Sequence, residues 1–542
     1  MDPSEAFWQA TAEYLGDLYA AEPVMATRMG VHDLDDRLPN RSRYATDERL
    51  RQARAYLHRI DHLSLATMPP EPRLDTRLAR AVTQLEISRI EHWREQERDP
   101  SAVLRDITAG LLPLLASAER GDDGAAAAGA ARMRGVPSLL EQARACLTHP
   151  TIDACGAGLA LAPRVAAMLV QGAAAAAAPS RDGALADELR SAAAAAARAV
   201  EELAAWVRAE ALPAASPDSP LGREVYDYRL HTCHLLEEGS DALLEAALAD
   251  AAGALASLKD EATGTRSGRT WRALLEEADA LAPRPADLLA DYSREVERAR
   301  SYVALRRLLD PPAAGTLAVL AAPVWAADQV SPVGYQAPGP FEERQAAQLW
   351  VRPEPEGATL ADMAGHSRFR IPVRVVAEAY PGRHLQTLRA NAVPSRVRAH
   401  FGRNPLIREG WPRYAADLMA EAGYYPAPRV RMTILRDHMR QAARAATDLA
   451  FHTGLLSACE AARQLADRAA IAEAGAAAEV RRIAVQPMEA AHAWLGRRAL
   501  HEIRAELERR QGARFDLRRF HDNVLDLGAV PPRLLRDSLL NP

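Results

Sequence analysis

A mainly α-helical fold is the prediction for this chain of 542 residues. Apolar residues recur every three or four positions, with charged residues between them, over residues 5–29, 46–98 and 101–119. This spacing is typical of helices that turn one face toward a core. Runs of alanine at 173–178 and 192–197 also favour helix, because alanine has the highest helix propensity. We therefore expect most of the chain to be helical.

The N-terminal segment shows the pattern clearly. Residues 5–29 are predicted to form a helix with one apolar stripe, made of Phe7, Ala10, Tyr14, Leu15 and Leu18. The segment that follows, at 26–38, is dense in aspartate. Such a cluster is more often capping and turn chemistry than a metal loop. We predict a turn there.

One segment, at about 315–355, departs from the helical pattern. Residues 317–320 and 348–351 are short apolar runs bounded by proline and glycine, which predicts two strands. Residues 333–335 and 338–340 are predicted as the loops between them. A small β element is therefore expected beside the helices that follow.

The chain is predicted to be a single domain over residues 1–542. A proline-rich connection after residue 212 is a possible lobe boundary, with an N-terminal helical lobe at 1–215 and a second lobe at 216–542 that includes the small sheet. No linker is long or polar enough to indicate two freely moving domains.

Charge and hydropathy exclude several classes of partner. The formal net charge is only −5 and the pI is about 6.3, so no bulk attraction to nucleic acid or to an anionic membrane is expected. The N-terminus has neither a basic region nor an apolar stretch of the kind found in a secretory signal. The longest apolar run, at 156–178, is interrupted by Pro163, Arg164 and Gln171 and is predicted to be a buried or alanine-rich helix, and not a membrane span. We expect a cytoplasmic protein.

Lysine and cysteine usage exclude further classes of site. The chain has one lysine, Lys259, so a phosphate-binding loop of the Gly-Lys-Ser/Thr type is absent and a Schiff base would have to use this residue. Cys146, Cys155, Cys233 and Cys459 show no Cys-x-x-Cys spacing for a metal or for redox exchange. Free thiols in a reducing compartment are expected.

The stretch that carries the chemistry is 377–386, which reads Ala-Glu-Ala-Tyr-Pro-Gly-Arg-His-Leu-Gln, followed by Arg-Glu-Gly-Trp at 408–411. It resembles the bacterial domain-of-unknown-function family 885, whose zinc-peptidase-like members read His-Glu-x-x-Pro-Gly-His-His-x-Gln and then Glu-Gly-Trp-Ala-x-Tyr. Residues 26–35 and 512–531 also resemble signatures of this family, so the resemblance covers essentially the whole chain. It implies a large two-lobed helical body, similar to zincins, with a central cleft beside the small sheet.

The resemblance also shows what this chain has lost. The position of the first zinc-binding histidine is Ala377, which has no donor atom, and the His-His pair is Arg383 and His384. The general base is Glu378 and the later glutamate ligand is Glu409. Arg383 is charged at any accessible pH and repels a cation. Its guanidinium group is expected to pair with Glu378 or Glu409 in the space of the metal.

The candidate site residues follow from this placement. Glu378, Tyr380, Arg383 and His384 are the candidate catalytic residues. Candidates for substrate binding are aromatic residues that could line the pocket: Tyr335, Trp350, Tyr414, Tyr424 and Tyr425. If a metal is retained, zinc or another divalent ion would be held by His384, Glu409 and His452, the last of which follows Asp448 by one helical turn.

Three functions stay open at this point. The first is a divergent member that has lost the zinc site and binds or converts a peptide-like or small biosynthetic molecule by metal-independent acid/base chemistry, as an enzyme of specialised metabolism would. The second is a metal-dependent peptidase or other hydrolase that uses the residual His/Glu/His set. The third is a non-catalytic interaction protein. The first and third need no cofactor, and the sequence leaves the substrate and oligomeric state open.

Overall fold

The computed structural model describes residues 2–217, 220–312 and 314–540. Residues 1, 218–219, 313 and 541–542, which the predicted single domain includes, lie outside the described residues. Helices account for 72% of the structure and strands for 4%. The prediction of a mainly α fold with a small sheet is therefore confirmed. The chain forms two compact units, one made of Met1–Val225 and Pro323–Asp328 and the other of Tyr226–Ala322 and Gln329–Pro542.

The first unit is a set of packed helices. They are α1 (Pro3–Ala21), α2 (Pro23–Met29), α3 (Arg43–Asp61), α4 (Pro70–Ser88), α5 (Glu95–Arg98), α6 (Ser101–Ala118), α7 (Asp123–Cys146), α8 (Ile152–Ala177) and α9 (Gly183–Trp206). Helices α6 to α9 pack against one another, and α1, α3 and α4 form a second group. The single helix predicted at 5–29 is divided into α1 and α2 at Pro23, because proline has no amide hydrogen to continue a helix but fits its first position.

The turn predicted at 26–38 begins only at Gly30, because residues 26–29 belong to α2. The φ of Gly30 is 86°, in the left-handed region that favours glycine. Arg132, which is fully buried, donates hydrogen bonds to the carbonyl oxygens of Arg37 at 2.8 Å and Gly110 at 2.6 Å, and to Thr27 Oγ1 at 2.6 Å. The segment is thus fixed by a buried guanidinium group.

Two helices of the first unit, α6 and α8, are long and apolar enough to cross a membrane by length and composition alone. In this structure 56% of the apolar window in α6 and 44% of that in α8 is buried inside the protein. These two helices pack against each other. Their apolar character is therefore partly used in the packing of this unit.

The second unit contains the remaining helices and the sheet. The chain enters it within α10 (Arg223–Tyr228). Its further helices are α11 (Ser240–Gly264), α12 (Trp271–Asp279), α13 (Leu288–Arg306), α14 (Leu360–Met363), α15 (Ile371–Glu378), α16 (Arg383–Asn391), α17 (Arg396–Phe401), α18 (Pro405–Glu421), α19 (Pro428–His452), α20 (Ala458–Ala469), α21 (Glu473–Val485), α22 (Glu489–Gln511), α23 (Leu517–Asp526) and α24 (Pro532–Leu540). Helix α19 packs on α11, α20 and α22, and α22 also packs on α18.

The sheet has three strands in the order β1-β3-β2, with β1 (Thr316–Ala321) parallel to β3 (Ala346–Val351) and β2 (Val333–Gln336) antiparallel to it. The strands predicted at 317–320 and 348–351 are confirmed. The loop predicted at 333–335 is wrong, because these residues form β2. Pairing with β3, in which Tyr335 lies opposite Leu349, holds them extended although a glycine stands among them.

Helices α18 and α22 approach so closely that their backbones are in contact. A Cβ atom added at Gly410 would lie 2.3 Å from the carbonyl carbon of Gly496, and one added at Gly496 would lie 1.7 Å from the oxygen of Leu406. Neither position has room for a side chain. This contact fixes the level at which the two helices pass each other, next to Glu409.

Candidate functional site

The motif stretch forms a tight reversal between two helices. Helix α15 ends at Glu378, and α16 begins at Arg383. Gly382, between them, lies against the end of α15, since an added Cβ would be 2.0 Å from the oxygen of Ala377. Trp411 Nε1 donates a hydrogen bond to the oxygen of Pro381 at 2.9 Å and so attaches the reversal to α18. The reversal lets Glu378 and Arg383 meet.

Arg383 joins two carboxylates. Its Nε donates to Glu378 Oε2 at 2.9 Å, while Nη1 and Nη2 donate to Glu409 Oε1 and Oε2 at 3.0 and 2.6 Å. The second pair is a two-pronged contact between a guanidinium group and a carboxylate, which is among the strongest hydrogen-bonding arrangements in proteins. We call Arg383, Glu378 and Glu409 the arginine cluster.

The charges of Arg383 and Glu409 are fixed over a wide pH range. Burial alone would lower the pKa of Arg383, but the two carboxylates more than offset this and raise it. Burial raises the pKa of Glu409, but hydrogen bonds and attraction from Arg383 more than offset that effect and lower the pKa to about 2. The guanidinium group and the Glu409 carboxylate are therefore both charged at neutral pH.

His384 lies between two tyrosines. Its Nδ1 is 3.0 Å from the Tyr335 hydroxyl, and its Nε2 is 3.1 Å from the Tyr380 hydroxyl. The imidazole is fully buried, which lowers its pKa to about 4. Burial also raises the pKa of both tyrosines. At neutral pH this row is an uncharged imidazole with a neutral phenol at each nitrogen.

The residues present do not fit the zinc ion that the sequence resemblance implies. Ala377 is buried and offers no donor atom, and Arg383 brings a cation to the same place. Within residues 2–217, 220–312 and 314–540, no group of three or more His, Cys, Asp or Glu side chains could hold a metal ion. The alternative set is not brought together: Glu409 binds Arg383, His384 binds the tyrosines, and His452 Nε2 lies 2.9 Å from the oxygen of Ile483.

Of the five aromatic residues predicted for substrate binding, Tyr335 contacts the candidate catalytic residues, through His384. The other four are buried in different contacts. Trp350 Nε1 donates to Gln348 Oε1, Tyr414 OH bonds with His521 Nε2, Tyr424 OH donates to Glu295 Oε1, and Tyr425 packs against Tyr424. A role for these four in binding stays a prediction.

Asp448, one helical turn before His452, is fully buried and connects α19 to two other parts of the second unit. It accepts hydrogen bonds from the Tyr226 hydroxyl at 2.8 Å and from the Met488 amide at 3.1 Å, just before α22. Its other oxygen, Oδ2, is buried without a hydrogen-bond partner in the described part of the chain. Burial raises the pKa of this carboxyl to about 7.

Two histidines outside every sequence motif also lie near the arginine cluster. The rings of His234 and His492 are 5.8 Å apart, and Glu409 and Arg408 both act on the pKa of His492. They are far apart in sequence and no local spacing signals them.

Two solved structures share this fold. One is described as a predicted lipoprotein of unknown function from Shewanella oneidensis, with 19% identity, a TM-score of 0.79 and coverage of 99% of this chain and 100% of that chain. The other, described as a predicted lipoprotein from Colwellia psychrerythraea, has 16% identity, the same TM-score and coverage of 100% and 99%. These identities establish similarity of fold alone.

Among curated proteins, none matches the chain. A family model described as "Bacterial protein of unknown function (DUF885)" matches residues 23–539, which is nearly the whole sequence. The chain belongs to this family of bacterial proteins, DUF885.

Proposed function

We propose that this protein is a divergent DUF885 member that works without a metal ion and binds or converts a peptide-like or small biosynthetic molecule by acid/base chemistry. One observation carries the proposal: the Arg383 guanidinium group donates to both Glu378 and Glu409, the residues aligned with the general base and the last zinc ligand of zinc-peptidase-like members. A fixed cation of the protein thus stands among the groups that would otherwise face a metal.

Acid/base chemistry at this site would use the row of Tyr335, His384 and Tyr380. A neutral imidazole has one N–H donor and one acceptor nitrogen. One tyrosine hydroxyl therefore donates to His384, and the other accepts from it. The Tyr335 hydroxyl also has a hydrogen bond with the Thr387 side chain. In the tautomer in which His384 donates to Tyr380, the Tyr380 hydroxyl can donate a proton or a hydrogen bond to a bound molecule.

The arginine cluster would supply fixed charge rather than a proton. Burial with two carboxylates holds the Arg383 guanidinium group in one orientation, and its own charge is already matched. Glu378 is joined to Arg383 through Oε2. The cluster is suited to orienting a polar group of the ligand, while the tyrosine and histidine row moves protons.

Location is a separate proposal. The sequence predicts a cytoplasmic protein, whereas the two solved structures with this fold are described as predicted lipoproteins, which are anchored to membranes. We retain the cytoplasmic location as a proposal. Fractionation of the natural host, with detection of the full-length chain, tests it, and recovery in the membrane fraction would contradict it.

Turnover assays test the proposed chemistry. Tag-free protein would be incubated with mixtures of short N-acetylated peptides, with and without a chelator, and the products analysed by mass spectrometry. Binding or turnover that is insensitive to chelator and lost in Tyr380→Phe is the expected result. Turnover that requires added metal would revive the hydrolase alternative. If neither binding nor turnover is detected, the proposal is contradicted and an interaction protein is favoured.

A further inference from the structure

Helix α22 lies next to Glu409 of the arginine cluster. The backbone contact between Gly410 and Gly496 places α22 beside the turn of α18 that carries Glu409. His492 precedes Gly496 by one helical turn, so it lies on the same side of α22 as the contact. Its imidazole is within electrostatic range of Glu409, which raises its pKa, and of Arg408, which lowers it.

His492 differs from His384 and His521 in the hydrogen bonding of its ring nitrogens. Both nitrogens of His384 and of His521 lie within hydrogen-bonding distance of other groups. The imidazole of His492, in contrast, has no hydrogen bond or ion pair among the described residues, and it is only half-buried. A polar ring at such a position has its hydrogen-bonding capacity free for water or a ligand.

The ring of His234 packs against that of His492 and limits its movement. His234 is 1% exposed and packs against it with the two ring planes inclined by 59°. Asn404, which caps the start of α18, has its amide nitrogen 3.5 Å from His234 Nδ1. His492 therefore packs on the buried ring of His234, which in turn lies next to Asn404 at the start of α18.

His492 is uncharged at neutral pH. Burial lowers its pKa to about 4, and the nearby Arg408 and Arg229 act in the same direction while Glu409 opposes them. A neutral imidazole offers one donor and one acceptor to a ligand.

The charged side chains of the arginine cluster are already paired. Arg383 is paired with Glu378 and Glu409, and Arg408 Nε lies 3.5 Å from Glu409 Oε1. An amide or a hydroxyl group of a ligand both donates and accepts hydrogen bonds, which matches a neutral imidazole with one donor and one acceptor nitrogen. The ring therefore favours an uncharged polar ligand group.

We propose that His492 is a ligand-contacting residue of this site, which binds an uncharged amide or hydroxyl group of the ligand through its free ring nitrogens. This inference rests on the proposed function and adds the class of ligand group that the site accepts. It assigns to His492 a contact that is made only when ligand is bound.

Chemical modification tests whether the ring nitrogens of His492 are free and accessible. Diethyl pyrocarbonate acylates unprotonated imidazole nitrogens that it can reach, and peptide mapping by mass spectrometry reports each histidine separately. In the full-length protein at neutral pH, His492 should react at least about tenfold faster than His234 and His384, whose access requires local opening. His231, which is exposed and has its Nδ1 3.0 Å from the Leu236 oxygen, serves as the reference for a solvent-exposed histidine. Reaction of His492 as slow as that of His384 would overturn the inference.

Binding of a neutral probe tests whether His492 contacts an uncharged amide group of a ligand. The probe is N-acetylalanine amide, observed by saturation-transfer NMR, with acetate and ethylammonium as charged comparisons. The wild type and the matched control His231→Asn should bind the amide, and His492→Asn should bind it about tenfold more weakly while unfolding at the same temperature. Absence of amide binding in the wild type, equal binding of the charged probes, or unchanged binding in His492→Asn would each overturn the inference.

A different measurement, that of zinc uptake, tests the proposed function. Uptake of zinc by the wild type would contradict a metal-free site whatever His492 does. Absence of zinc, together with an unaffected His492→Asn, would overturn the present inference alone.

Discussion

Helix α18 carries two clusters of opposite design, two helical turns apart. In the arginine cluster, one cation is bound by two carboxylates, Glu378 and Glu409. In the second, which we call the aspartate cluster, one carboxylate, Asp417, is bound by His438 at 3.0 Å, His501 at 2.7 Å and Arg497 at 2.5 Å.

The two clusters differ in what they connect. Asp417 joins α18 to α19 and α22, and only 10% of its side chain is exposed. Burial raises its pKa, but His438, His501 and Arg497 more than offset this and hold the pKa well below its usual range. The Glu409 side chain is 32% exposed and stands beside an imidazole, His492, whose nitrogens are free. The same chemistry thus serves packing in one place and, in our proposal, forms part of a ligand site in the other.

The largest expected effect is on the aspartate cluster. Asp417→Asn removes the one negative charge that faces Arg497 and two imidazoles in a buried place, so the free energy of unfolding should fall by about 3–5 kcal/mol. Urea-induced unfolding measures it. The control is Glu421→Gln, whose partner is Arg504 and whose side chain is 46% exposed, with an expected loss below about 1 kcal/mol. Equal losses in the two variants would refute the packing role of Asp417.

The arginine cluster should respond less strongly and in a coupled way. Arg383→Met leaves Glu378 and Glu409 without their cation, and the expected loss is about 3 kcal/mol. Adding Glu378→Gln and Glu409→Gln to Arg383→Met should recover at least half of this loss, because no unpaired charge then remains. Strictly additive losses in the triple variant would show that the three groups do not act as a unit.

Asp448 allows a prediction with a defined sign of pH dependence. Burial raises its pKa to about 7 in the folded protein, so folding favours the protonated form. The wild type therefore loses stability as the pH rises from the unfolded-state pKa of about 4 to about 7.

Asparagine at position 448 does not titrate. Relative to the wild type, Asp448→Asn should gain at least about 2 kcal/mol between about pH 4 and about pH 8, measured as the difference in unfolding free energy at each pH. A difference that stays constant with pH would mean that the carboxyl has an ordinary pKa in the folded protein.

The smallest effect is expected for the tyrosine and histidine row. Tyr380→Phe removes one hydrogen bond to His384 and should cost about 1 kcal/mol, whereas its effect on any acid/base turnover should be much larger. Thermal unfolding and turnover measured on one preparation separate the two. A loss of stability as large as that of Arg383→Met, with turnover retained, would indicate a packing role for the row.

The sequence predicted the fold class because helical periodicity is a local property. It also predicted β1 and β3, whose apolar runs are bounded by proline and glycine. Strand β2 was predicted as a loop, because its four residues include Gly334 and extend only through pairing with β3. Secondary structure that depends on a distant partner leaves no local pattern.

In the site, too, contacts within one short stretch could be predicted, whereas contacts between distant parts of the chain could not. The contact of Arg383 with Glu378 arises within one short stretch, and the motif predicted it. The contact of His384 with Tyr380 lies in the same stretch, where both residues were candidates but their contact was not predicted. The proximity of His492 to this stretch depends on the contact of Gly410 with Gly496, and a lone glycine in a helix gives no sign of such a partner. Residues brought together by helix packing could therefore not be predicted from their spacing.

The most direct test of the central claim, that Arg383 stands in place of a metal ion, is the metal content of tag-free protein before and after incubation with zinc and removal of the excess. The double variant Ala377→His with Arg383→His is the positive control, since it restores two imidazole donors beside Glu409. We expect far less than one equivalent of zinc in the wild type and about one in the double variant. About one equivalent in the wild type, lost in Glu409→Ala, would contradict the claim.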